Sequence, residues 1–440
     1  MFRKTTIWRG LSLVCALFLT FSMLAANILE TYRTSVDAFF GTRSQQTVTE
    51  SSEDGEDVWT YQSKFQTAEE AYEGFKELAV RASQETYALL KNENGALPLS
   101  STAKITMLGV RSYAPVYGNN GGSVPDGKST VEIFDAFSER GFEINPSMLE
   151  TYQNFFKDKQ WTVPQFGGGI LPSYAEISAY DNPHELTFEE LAALNPDYNK
   201  DYASYNDAAI VVVGRIGGEN GDGYYPGEAG RADGVETVTG NILSLSDEEM
   251  AVIEEAKANF DKVIVLINAT NQMEIANLEE DPDIDAILWI GYPGAYGFYG
   301  VADVLNGTVS PSAHLGDTFA KNSALAPAMQ NYGNIPWENA GSFSEAANVN
   351  SYLIEAEGIY TGYRYYETRY ADIVLGNGGE KASAGTYANP DGTVAETDGT
   401  WDYTNEVVYP FGYGLSYTTF EQTLDSVEIS GDKKTAAVSV

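Results

Sequence analysis

Along this chain the apolar positions fall into short unbroken runs separated by stretches of helical spacing. Ala208–Gly214 is apolar throughout and rich in β-branched residues, which predicts a strand covered on both faces. Lys104–Gly109, Lys262–Asn268 and Ile284–Tyr292 predict further strands, and Phe142–Ile144 a short one. Between them Val131–Arg140 reads as an amphipathic helix, Ser246-x-x-Glu249 caps a helix running to about Phe260, and Gly297–Leu305 forms another. Ahead of them all, Thr67-Ala-Glu-Glu70 makes a capping box. Ala71, Phe75, Leu78, Ala82, Leu89 and Leu90 follow at helical spacing up to Asn94–Gly95, and Pro98 blocks continuation. This alternation predicts the α/β class, a mostly parallel sheet sandwiched by helices. Right-handed crossovers then place the strand carboxyl ends on one edge, where ligands gather.

Other segments depart from the alternation. Lys159–Asn206 is long, aromatic and rich in Pro and Gly, so it reads as an excursion near the functional edge, and Ala371–Thr404 is similarly loop-like. Beyond Pro410 the spacing becomes two: Ser426–Ile429 and Ala436–Val440 flank Gly431–Asp432–Lys433–Lys434 as a hairpin does. Two strands cannot bury a sheet face alone, so this predicts the truncated start of a β-sandwich. At the other end, Arg3, Lys4 and Arg9 precede an uncharged run from Gly10 to Leu29. Such a run spans about 30 Å as a helix, the thickness of a bilayer core. Leu24–Ala25–Ala26 offers no clean small-x-small cleavage site, so an uncleaved transmembrane anchor is favoured over a cleaved signal peptide. The basic flank keeps the N-terminus cytoplasmic and translocates the acidic remainder. The expected organisation is an anchor at 1–30, a linker at 31–65 and an α/β sandwich domain at 66–370 with an insert at about 159–206. A loop-rich insert at 371–408 and the start of the β domain at 409–440 follow.

Composition narrows the chemistry. A formal charge of −37 repels nucleic acid and anionic lipid headgroups. The single cysteine, Cys15, lies in the apolar N-terminal run, which excludes disulfides and Cys-based zinc sites. His184 and His314 are far apart without metal-ligand spacing, and no Gly-x-Ser-x-Gly elbow is present, so neither a metal centre nor a serine triad is expected. Gly122-Ser-Val-Pro-Asp-Gly-Lys-Ser129 matches a phosphate-loop pattern but does not leave a strand directly, and no strand ends in the acidic residue that a nucleotide site needs. Asp281-Pro-Asp283-Ile-Asp285 resembles the start of a calcium loop, yet Ala286 and Tyr292 stand where Gly and Glu are required. It reads as an exposed acidic turn. No cofactor is called for.

The candidate chemistry lies in Arg215-Ile-Gly-Gly-Glu219-Asn-Gly-Asp222-Gly223, the Gly-rich loop leaving Ala208–Gly214. Glu219 there is suited to general acid–base work, against the alternative of a solvated loop carboxylate. Asp222 and Glu228 are alternatives in the same loop, and Asp222 could instead hold the loop through Asx-type bonds. Tyr224 and Tyr225 follow in the same loop, and Trp161 lies in the aromatic excursion.

These features meet in a resemblance. Leu89–Leu99, Gly214–Glu219, Asn306–Ser312, Glu357–Tyr366 and Tyr409–Tyr417 resemble, in order, the C-terminal α/β sandwich of glycoside hydrolase family 3, the last leading into its fibronectin-type-III-like domain. The resemblance covers roughly residues 80–440 and implies a β-glucosidase-like enzyme hydrolysing O-glycosyl bonds by retaining double displacement. It places the general acid/base on Glu219, although Asn220 stands for Gly and Gly223 for Arg in the family's loop, and Glu228 stays an alternative. Asp222, Tyr224 and Tyr225 become substrate-binding candidates for an oligosaccharide or β-glucoside. In the family the nucleophilic aspartate belongs to a (β/α)₈ barrel, typically within Ser-Asp-Trp, which does not occur here. The order looks like that of the domain-swapped subset, with the sandwich preceding the barrel, so the chain alone is expected to be inactive. The alternative is a non-catalytic, membrane-anchored carbohydrate-binding module.

Overall fold

The structure is a computed structural model, and it describes residues 2–33, 63–118, 130–157, 161–164, 170–174, 185–215, 243–330, 335–336, 351–352, 357–376 and 403–440. The chain divides into two units, Met1–Gln66 and Thr67–Val440. In the first, Phe2–Thr31 forms one helix, α1. Its segment Thr5–Thr31 is long and apolar enough to cross a membrane, a test that an N-terminal signal sequence also passes.

The second unit is built on a six-stranded sheet. In chain order its strands are β1 (Ala88–Asn92), β2 (Lys104–Leu108), β3 (Glu143–Ile144), β4 (Ala208–Gly214), β5 (Val263–Asn268) and β6 (Ala286–Trp289). Their order across the sheet is β1-β6-β5-β4-β2-β3, all parallel except β1, which runs antiparallel on β6. Alternate residues of β4 and β5 serve opposite cores. Ala209, Val211, Val213, Val263, Val265 and Ile267 pack with Val252, Ile253 and Ala256 of the helix Asp247–Asn259, whereas Ile210, Val212, Ile264 and Leu266 pack with Phe134, Phe137 and Phe298. Both faces are thus dry, which is why these strands read as unbroken apolar runs rather than alternating ones. Each fully buried Val, Leu or Ile contributes roughly 1.5–3 kcal/mol of transfer free energy.

The Ser246–Glu249 capping box forms as the sequence suggests, and Thr67 caps its own helix. Thr67 Oγ1 accepts from Glu70 N at 3.1 Å. Ser246 Oγ accepts from Glu249 N at 3.2 Å, and Glu249 Oε2 accepts in return from Ser246 N at 2.9 Å.

Four expectations are corrected. The first helix stops at Gln84, and Leu89 and Leu90 belong to β1. The pairing of Ala88 with Trp289 and Leu89 with Leu288 supplies this run with a sheet edge, and local periodicity cannot foresee that. The turn before β6 is not simply exposed: Asp285 is buried, its carboxylate accepting from Val263 N at 2.9 Å and Asn94 Nδ2 at 3.0 Å. The later part of the expected excursion is ordered, with a capping-box helix Phe188–Leu194 and with Leu186, Leu191 and Tyr202 in the core. Ala371–Leu375 is likewise helical, ending the helix Tyr363–Leu375. The hairpin forms, with Ser426–Ile429 antiparallel to Ala436–Ser439.

Candidate active site

β2 is followed in sequence by β3 on one side, and the chain then returns to lay β4 on the other side. The carboxyl ends of β2 and β4 therefore flank a topological switch point, the place where an α/β sheet opens a crevice. Residues from several separate segments meet there.

At the end of β2, Gly109 adopts a φ of +91°, which permits the sharp turn into the short helix Val110–Tyr113. Its N–H donates to the Tyr152 hydroxyl at 2.8 Å. The Glu185 carboxylate caps the short helix, accepting from Val110 N at 2.8 and 2.9 Å and from Leu186 N at 3.0 Å. Burial pushes this carboxyl up to about 8, with the amide bonds to Val110 and Leu186 opposing the shift.

At the end of β4, the stem of Arg111 lies across Gly214: a Cβ added at Gly214 would sit 3.2 Å from both Cγ and Cδ of Arg111. Arg111 is buried, with Nη1 donating to the Ala114 carbonyl at 3.3 Å and Nε unpartnered. Desolvation, and then the neighbouring Arg215, lower its guanidinium to about 10. Arg215 itself is 1% exposed and binds both oxygens of Glu249, at 2.6 and 2.7 Å. The same guanidinium donates to the carbonyls of Gly214 at 2.9 Å and Ser244 at 2.8 Å. Two further strand ends close the cluster. Asn268, ending β5, accepts from Val116 N at 2.6 Å and donates to Val116 O at 2.9 Å and Gly291 O at 2.7 Å. Tyr292, beyond β6, donates its hydroxyl proton to the Arg215 carbonyl at 3.1 Å.

Arg215 and Ser244 stand at the two ends of segment 216–242, so one guanidinium joins the departure and return of that segment. Glu219, Asp222, Tyr224, Tyr225 and Glu228 lie within 216–242, outside the described residues, as do Gly122–Ser129 and His184 elsewhere. Trp161 opens the strand Trp161–Pro164. His314 is exposed and its Nδ1 lies 2.9 Å from the Gly412 carbonyl. Sequence reasoning missed Arg111, Glu185, Arg215, Glu249, Asn268 and Tyr292 as members of one cluster. Only Arg215 and Glu249 carried a signal, the first as an unusual polar end to an apolar strand and the second as a capping glutamate.

A doubly wound α/β domain with a polar cluster at its switch point is a ligand-binding architecture. Its family is more specific: the model of the glycosyl hydrolase family 3 C-terminal domain matches residues 87–417, and the chain belongs to that family. A β-glucosidase of Ruminococcus albus is 27% identical over 349 residues, covering 79% of this chain and 28% of the relative. β-Glucosidase A of Butyrivibrio fibrisolvens is 26% identical over 355 residues, covering 78% of this chain and 35% of the relative. The chain thus spans about a third of these relatives' length. Among solved structures, β-glucosidase 3B of Thermotoga neapolitana in complex with α-D-glucose superposes with a TM-score of 0.55 at 27% identity, covering 83% of this chain and 41% of that one.

Proposed function

We propose that this chain is part of a β-glucosidase-like glycoside hydrolase and supplies the general acid/base of a retaining double displacement. Glu219 protonates the leaving glycosidic oxygen and then deprotonates the incoming water. Asp222, Tyr224 and Tyr225 bind the oligosaccharide or β-glucoside, and Glu228 is the alternative acid. The observation that supports this reading is the tie between Arg215 and Ser244 at the switch-point edge of the sheet, the described residues that flank the stretch of sequence containing Glu219. Family membership and the β-glucosidase relatives support the substrate class.

The nucleophile comes from a (β/α)₈ barrel, with its carboxylate about 5 Å from the acid as retention requires. The sandwich domain occupies 66–370 and the loop-rich insert 371–408. The region from 409 starts a fibronectin-type-III-like sandwich. In its hairpin Val427 pairs with Val438 and Ile429 with Ala436, an apolar face on which Val427, Ile429 and Val438 are all exposed. Residues 1–30 anchor the protein, 31–65 form the linker, and the catalytic part lies on the extracytoplasmic side, in keeping with an apolar helix preceded by basic residues.

Assay of the 440-residue chain with and without a matching barrel tests this reading. Hydrolysis of an aryl β-glucoside should require the barrel. Unchanged turnover without it, or none with it, would overturn the division of labour. Calorimetry of the chain with cellobiose addresses the binding-module alternative, which millimolar or tighter binding without turnover would favour.

A further inference from the structure

At the edge of the sheet opposite the switch point lies a cavity of about 600 Å³, within the range of small-molecule sites. Ser101 and Thr102, just ahead of β2, line one side of it. The length of β2, about 16 Å at roughly 3.3 Å per residue, separates them from the switch-point cluster. The other sides are the carboxyl ends of helices: Gln84 of Ala68–Gln84, Glu139 and Arg140 at the end of Ile133–Glu139, and Asp303 of Gly297–Leu305. Gly141 lets two of these walls meet. Its φ is +99°, and a Cβ there would collide with the Ser101 carbonyl.

The polar groups of this cavity are held in place by the fold itself. Asp303 is 2% exposed, yet it borders the cavity. Gln84 Nε2 donates to its Oδ2 at 2.7 Å, and Arg140 Nε lies 2.7 Å from its Oδ1. The Arg140 guanidinium also sits 4.5 Å over the Tyr299 ring, and the Tyr299 hydroxyl donates to Glu139 at 2.6 Å. A guanidinium fixed at its edge and on its face is a preorganised fork of donors, so little side-chain freedom is lost when a ligand binds it. Ser101, Thr102 and Thr308 bring hydroxyls, which both donate and accept.

Charge selects the class of ligand. Among the described lining residues two carboxylates, Glu139 and Asp303, stand against one guanidinium, Arg140. The helices Ala68–Gln84 and Gly297–Leu305 also end there with their partial negative charge. An anion is therefore disfavoured, and an organic cation would compete with Arg140 for the same carboxylates. A neutral ligand with adjacent hydroxyls meets both signs, donating to carboxylate lone pairs and accepting from the guanidinium. We propose that this cavity is an accessory site for a neutral monosaccharide, apart from the switch-point edge. The choice of a sugar over other polyols rests on the β-glucosidase reading, whose product is a monosaccharide; the cavity rests on its own residues.

Saturation-transfer NMR of the full chain in mild detergent, titrated with D-glucose, tests this. The parent should bind the sugar. Thr308→Arg fills the cavity from an exposed position, so it should abolish binding while leaving the melting temperature unchanged. Arg140→Lys keeps a cation beside Asp303 but loses the fork, and should weaken binding on the order of tenfold. No glucose binding by the parent, or binding undiminished in Thr308→Arg, would overturn the proposal. So would binding of putrescine in place of glucose, since the cavity would then be reading its negative charge. Failure of the catalytic reading is separable. In the barrel-completed protein Thr308→Arg should hydrolyse an aryl β-glucoside as the parent does. Glucose binding that Thr308→Arg removes, without any hydrolysis by the parent, sinks only the enzyme.

Discussion

Arg215 and Glu249 form a buried two-bond pair, at 2.6 and 2.7 Å, with the arginine 1% and the glutamate 4% exposed. The pair locks the end of β4 to the start of the helix Asp247–Asn259. Because the same guanidinium holds the Ser244 carbonyl, it also fixes where the intervening segment returns.

Removing one member of this pair should be far more damaging than removing both. Glu249→Leu or Arg215→Met leaves a buried charge without its counter-ion and should cost about 3–5 kcal/mol. The double variant Arg215→Met/Glu249→Leu should recover a large part of that loss. Urea unfolding of the four proteins in a double-mutant cycle measures it, and additive single effects would show that the two residues do not act together.

Glu185 predicts a stability that declines with pH. Its folded carboxyl titrates at about 8 against an ordinary value of 4.5, so between those values the folded state holds a proton that the unfolded state has released. Stability is then fully present below about 4.5 and is lost as pH rises through 8. Arg111 opposes the shift and Glu249 favours it. Melting temperature followed from pH 5 to 9 should fall in the parent and flatten in Glu185→Gln, whose amide oxygen can still accept from Val110 and Leu186. Parallel profiles would show that Glu185 ionises normally in the fold.

A side chain at Gly214 should disturb the switch point without unfolding the sheet. The Cβ of Gly214→Ala would press on the Arg111 stem at 3.2 Å, and overpacking of this kind costs about 1–3 kcal/mol. Adding Arg111→Ala should relieve the clash, so the two effects should be non-additive in thermal denaturation.

In the barrel-completed enzyme, Glu219→Ala should slow substrates with poor leaving groups by 10²–10⁴-fold, roughly the worth of general acid catalysis, while sparing activated aryl glycosides in the first step. Rates on both substrate types separate this outcome from a folding defect. Equal losses on both would move the acid to another residue, with Glu228→Ala as the next variant to measure.

Much of this fold could be read from local sequence because both sheet faces are buried. Ala208–Gly214, Val263–Asn268 and Gly297–Leu305 emerge close to where their apolar runs lie, and the Ser246–Glu249 box forms as written. Leu89 and Leu90 were illegible by the same logic, since an apolar pair at helical spacing also fits an edge strand, and only the partner Ala286–Trp289 decides between them.

The switch-point cluster shows where local reasoning stops. The sequence by itself determined the parallel strands, their caps and the Gly-rich exit after β4, because those depend on neighbours within a few residues. The meeting of Arg111, Glu185, Arg215, Glu249 and Asn268 was decided by the tertiary structure. These residues are scattered along the chain, and β-strand crossovers alone bring their side chains to one sheet edge. There burial removes water as a partner, so each charge is held by whatever the other segments present.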